Sequence, residues 1–74
     1  MTNKFNTSEI NLEYDSYELE IKEFGNPNIL RPSYIGKVDI KYLIEFYGLN
    51  ESDVAWYKIY GVKNNNKELI KGYQ

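Results

Sequence analysis

Residues 49–61 read Leu49-Asn-Glu-Ser-Asp-Val-Ala-Trp-Tyr-Lys-Ile-Tyr-Gly61, and the fold turns on whether they form a helix or a strand. Read as a helix, Asn50 is the N-cap, Glu51 and Asp53 sit at the positive end of the dipole, and Gly61 ends the element. Read as a strand, Val54, Trp56, Tyr57, Ile59, Tyr60 and Val62 are β-branched or aromatic residues crowded into nine positions. The residues after Gly61 favour the strand. Asn64-Asn-Asn66 is a turn, and Lys67-Glu-Leu-Ile-Lys-Gly-Tyr73 reads as a returning strand. With Asn65-Asn66 as the loop, Lys63 opposes Glu68 and Val62 opposes Leu69. Asparagine tolerates the left-handed dihedrals of a type I′ turn. That register puts Trp56, Tyr60, Val62, Leu69 and Tyr73 on one face, and Tyr57, Ile59 and Ile70 on the other.

Upstream lies the clearest helix, Asp39–Gly48. Asp39 is a good N-cap and Gly48 a good C′ residue. Ile40, Leu43, Ile44 and Tyr47 fall at i, i+3, i+4 and i+7, one apolar stripe. Tyr42 and Phe46 form a second i, i+4 pair beside it. At 1.5 Å per residue the element is about 12 Å long, too short to hold in water without tertiary packing. The stripe suffices to dock the helix on a sheet, which leaves Tyr42 and Phe46 for something outside the domain.

The front of the chain alternates in two halves: Ile10, Leu12, Tyr14, then Tyr17, Leu19, Ile21. The phase slips by one at Asp15-Ser16. A hairpin with Asp15-Ser16 as its loop explains the slip and opposes Tyr14 to Tyr17 and Leu12 to Leu19. A single bulged strand is the alternative. Gly25-Asn-Pro-Asn28 is a turn. Residues 25–37 are expected to be an irregular connection, with Ile29, Leu30 and Ile35 tucked beneath it. The resulting string, ββαββ, implies an α+β fold: a small antiparallel sheet of two hairpins with one short helix on one face. With 74 residues the chain is expected to be one domain, with residues 1–8 frayed.

Composition narrows the chemistry. There is no Cys and no His, so the commonest thiolate, metal-ligand and general-base side chains are missing. Ser8, Ser16, Ser33 and Ser52 have no His to activate them, and no glycine-rich phosphate loop is present. The expectation is a chain that is not an enzyme and has no cofactor or metal site. The N-terminal residues lack an apolar signal-peptide core, and no apolar run approaches a membrane span, so a soluble cytoplasmic protein without a membrane partner is expected. Asn, Lys, Ile and Tyr make up 33 of the 74 residues and have AT-rich codons. In size, codon bias and lack of catalytic residues the chain resembles small accessory proteins of phages and mobile elements.

Two surface features stand out. The net charge is -2, with the acidic residues gathered at the front: Glu9, Glu13, Asp15, Glu18, Glu20 and Glu23. On one side of a hairpin, carboxylates at i and i+2 stand about 6.8 Å apart. Such an array imitates a nucleic-acid backbone; its plain reading is a solvated outer face. Aromatics make up 16% of the chain, more than a small sheet with one helix hides. Tyr42, Phe46, Trp56, Tyr57 and Tyr60 are therefore expected to meet a protein partner or a second copy. The first reading is thus a protein-binding module, an inhibitor that meets a basic nucleic-acid-handling protein. A second is a helix-turn-helix nucleic-acid regulator using residues 40–60, with Lys63, Lys67 and Lys71 on phosphates; W-Y-K-I-Y-G-V-K also has the interleaving of a single-strand stacking platform. A third is an assembly subunit, a homodimer through Tyr42 and Phe46.

Overall fold

The computed structural model describes residues 14–73. It has β1 (Ser16–Glu23), β2 (Ile29–Leu30), β3 (Ser33–Ile35), α1 (Ile40–Phe46), β4 (Val54–Lys63) and β5 (Asn66–Tyr73). The strands form one five-stranded antiparallel sheet in the order β2-β1-β4-β5, with β3 also paired to β1. The expected α+β architecture is present.

Residues 54–63 form a strand because β-branched and aromatic side chains pack well on a pleated surface. The second helix required by the helix-turn-helix reading is therefore absent, and that reading is corrected. β1 and β4 run side by side, with Leu19 opposite Ile59 and Ile21 opposite Tyr57. Alternation sends Tyr17, Leu19, Ile21, Tyr57 and Ile59 to one inner face, where all are buried. Glu18, Glu20, Lys22, Trp56, Lys58 and Tyr60 take the outer face.

The helix closes the inner face. Its N-cap is Asp39, whose Oδ1 accepts from the Tyr42 N–H at 2.8 Å. Gly48, at φ 64°, supplies the left-handed residue that ends it. Leu43 and Leu49 are buried against the sheet, with Val38, Ile40, Ile44 and Tyr47 packed around them. The Tyr17 hydroxyl donates to the Val38 carbonyl at 2.5 Å and fastens the approach to the helix to β1.

Three local expectations are revised. The Asp15-Ser16 hairpin does not form. β1 has β4 on one edge and β2 and β3 on the other, so it has no edge left for residues 9–13, which lie outside the described residues. Neither Asp15 nor Ser16 has the positive φ that a type I′ turn needs. The phase slip is instead a bend at Asp15 that turns Tyr14 inward beside Tyr17, ring centroids 6.0 Å apart. Second, residues 25–37 contain β2 and β3. The two read as one edge strand interrupted at Arg31-Pro32, where proline has no N–H to give. The Pro32 carbonyl still accepts from the Leu19 N–H at 3.0 Å. Leu30 and Ile35 do not tuck under; they are 41% and 87% exposed.

Third, the last hairpin turns one residue earlier than expected. Asn64 and Asn65, at φ 53° and 65°, form the turn. Lys63 then faces Asn66, Val62 faces Lys67 and Tyr60 faces Leu69. A bulge follows, with Ile70 as the extra residue between Leu69 opposite Tyr60 and Lys71 opposite Ile59. It moves Tyr73 off the outer face expected for it and stacks it on Tyr57, centroids 5.9 Å apart.

Gly61 is more closely packed than the other sheet glycine, Gly72. A Cβ there would lie 2.5 Å from the Tyr14 ring. Gly61→Ala should therefore cost about 1–3 kcal/mol in chemical denaturation, because the buried ring must shift. It should also break the 2.7 Å hydrogen bond that the Tyr14 hydroxyl donates to Glu68.

Candidate functional site

The acidic residues do not form a bare array. Glu9 and Glu13 lie outside the described residues. The Asp15 carboxylate lies 2.9 Å from the Lys37 ammonium, Glu18 3.3 Å from Lys67, and Glu20 3.8 Å from the Arg31 guanidinium. The hydrogen bond from Lys37, with its charge, holds the Asp15 carboxyl below its usual range. Glu23 is half-buried where the β1–β4 register shifts. On the outer face Glu18 stands opposite Tyr60, Glu20 opposite Lys58, and Lys22 opposite Trp56. The surface alternates in charge, which weakens its field beyond a Debye length.

The aromatic residues divide into three groups. Tyr57 is 3% exposed and belongs to the core, so it is withdrawn from the interaction set; its place on β4 matches the inward phase of Ile59. Trp56 and Tyr60 are half-buried on the outer face, each beneath an ammonium: Lys58 at 5.7 Å from the Trp56 ring and Lys67 at 4.7 Å from Tyr60. Tyr42 and Phe46 stand outside the core on the helix, and Phe46 is 58% exposed.

Tyr42 and Phe46 are not isolated. Their rings stack at 17° with centroids 5.6 Å apart. Tyr34, from β3, meets both edge-on at 5.6 and 5.5 Å. Tyr47 completes the cluster at 4.9 Å from Phe46. The Tyr34 hydroxyl donates to that of Tyr42 at 3.3 Å, and the Tyr47 hydroxyl donates to the Ser33 carbonyl at 3.4 Å. The four rings lock one another into a single surface on the helix and the β3 edge. Sequence reasoning missed Tyr34, since residues 33–37 have no period. Its position two residues after Pro32, alternating with Ser33 and Ile35, is the one signal that would have placed it.

A second apolar feature lies at the far end of the sheet. Phe24, Leu49, Val54, Ala55 and Tyr73 line an open cleft of about 430 Å³, with Asn50, Glu51 and Ser52 on its polar side.

Comparison with protein-family models, with curated proteins and with solved structures gives no significant match to this chain. The fold and surface define a class in structural terms alone: a small antiparallel α+β module with an ordered aromatic surface on its helix.

The tyrosines give this architecture a pH signature. Burial raises Tyr17, Tyr47 and Tyr57 above their ordinary value of 10.0. The hydrogen bond to Tyr42 is the main cause of the same shift in Tyr34. A raised folded-state value means that the unfolded chain ionises first. The stability that these tyrosines contribute is thus complete below pH 10 and lost as pH rises through the folded values. Ultraviolet titration should show these tyrosines becoming ionised above pH 10 as the tertiary circular dichroism disappears.

Proposed function

We propose that the protein is a small, non-enzymatic protein-binding module that meets its partner through Tyr34, Tyr42, Phe46 and Tyr47. The observation that carries this reading is the four-ring cluster, held together by mutual ring contacts and centred on an exposed Phe46. Large aromatic side chains are favoured at interface hot spots. Rings already fixed by their neighbours lose little conformational freedom on binding. The hydroxyls suit recognition better than reaction, since Tyr34 and Tyr47 are both shifted toward the neutral form. A protein partner fits better than nucleic acid, because the chain carries a net charge of -2 and Glu18 and Glu20 engage cations of the same outer face. The contact therefore moves from the acidic front, where the sequence suggested mimicry of a nucleic-acid backbone, to the helix. No helix among the described residues is long and apolar enough to cross a membrane.

The test compares two double variants as baits in a lysate of the source organism, followed by affinity measurement on whatever protein is retained. Tyr42→Ala with Phe46→Ala should weaken binding at least tenfold, as expected when hot-spot residues are lost. Glu18→Gln with Glu20→Gln should leave it within a factor of about three, as for surface pairs worth little. Equal retention by the aromatic variant and the wild type would end the proposal, provided both melt within a few degrees of each other.

A further inference from the structure

We infer that the outer edge of β5 is a self-association site, at which two copies of the chain pair β5 to β5, antiparallel, about a two-fold axis normal to the sheet. Among the described residues β5 pairs on one side only, with β4. It is eight residues long, and it presents Leu69 at 53% and Tyr73 at 58% exposure. An edge of this length with unpaired backbone groups is a template for another strand.

The bulge identifies the strand that fits. In an unbroken strand Glu68 and Lys71, three positions apart, would point to opposite faces. Here Glu68 stands opposite Gly61 and Lys71 opposite Ile59, two residues apart on β4. Ile70 absorbs the odd residue, so Glu68 and Lys71 share the inner face and present their backbone groups in the same phase. A two-fold axis between Leu69 and Ile70 then sets Glu68 against Lys71 of the second copy, and Lys71 against its Glu68. Lys67 meets Gly72 on the outer face, and Asn66 meets Tyr73 on the inner. These three kinds of pair keep their faces across the axis, while Leu69 and Ile70, which flank it, lie on opposite faces at the bulge. Two opposite-charge pairs form per dimer, with no like charges opposed. The complementarity belongs to a second copy of this chain, because the sequence of β5 is complementary to itself only when reversed about that axis.

This association leaves the aromatic surface open. Tyr34 lies on β3, beyond β1 and β4 from β5. Dimerisation is read without any other protein, so it succeeds or fails independently of the protein-binding proposal.

Sedimentation equilibrium of the full chain at micromolar concentration should give a mass near twice 8.8 kDa, with the dimer weakening as salt is added. Glu68→Lys and Lys71→Glu, each alone, should weaken the dimer about tenfold or more, since each turns two attractive pairs into two repulsive ones. An equimolar mixture of the two variants should recover it, because a strand with lysine at both positions then meets a strand with glutamate at both. Recovery also separates the effect from loss of the Tyr14–Glu68 hydrogen bond, which mixing does not restore. A monomeric wild type, undiminished single variants, or a mixture that stays monomeric would each overturn the inference. Lys67, Lys71 and the bulge would then be guards on a bare edge.

Discussion

The pairing of β1 with β4 is the constraint on which the other elements depend. Leu19 opposite Ile59 and Ile21 opposite Tyr57 fix the register. A slip of β1 by one residue against β4 would turn Leu19 and Ile21 into solvent and bring Glu20 into the core. The inner face so produced is the floor on which the seven-residue helix rests. Leu43 and Leu49 fill it from above, and Tyr17 reaches from it to the Val38 carbonyl. The rest of the sheet is built outward from this pair, with β2 and β3 on one side and β5 on the other.

The charged residues work at a second level. Asp15 and Glu20 find cations beside β2 and β3, and Glu18 finds Lys67 of β5 across the face of β4. These are surface pairs, and each contributes little to stability. Their larger effect is to divide the molecule's surface. The outer face of the sheet becomes a mosaic of both signs, while the helix and β3 carry the largest continuous group of aromatic rings among the described residues.

Much of this was legible in the residues. The helix was fixed by Asp39, Gly48 and the Ile40-Leu43-Ile44-Tyr47 stripe, which are local signals. β4 was readable from its density of β-branched and aromatic residues. Tyr42 and Phe46 could be singled out because the stripe that docks the helix did not need them. What failed depended on partners distant in sequence. The partner strands of β1 cannot be seen from β1 itself, so its alternation with Ile10 and Leu12 suggested a local hairpin. Three consecutive asparagines allow a turn in two registers, and the bulge at Ile70 leaves no trace in the hydrophobic pattern. Tyr57 and Tyr60 look equivalent as letters; strand phase alone makes the first a core residue and the second a surface one. Tyr34 joins the aromatic cluster through a three-residue strand too short to show a period.

The Asn64-Asn65 turn bears on how the chain reaches this structure. It joins β4 and β5 through neighbouring residues, and hairpins of that kind close in about 1–10 µs. β1, by contrast, must find β4 across a separation that runs from Ser16 to Val62. The entropy of closing that loop has to be overcome before any native contact between the two strands compensates for it. The hairpin is thus the natural nucleus, and arrival of β1 the slow step. Until β1 arrives, Tyr57 and Ile59 stand in water on a two-stranded ribbon that is at best marginally stable alone. The chain is most exposed to misassembly in that interval, and its lifetime is set by how quickly residues 24–53 bring the two central strands together.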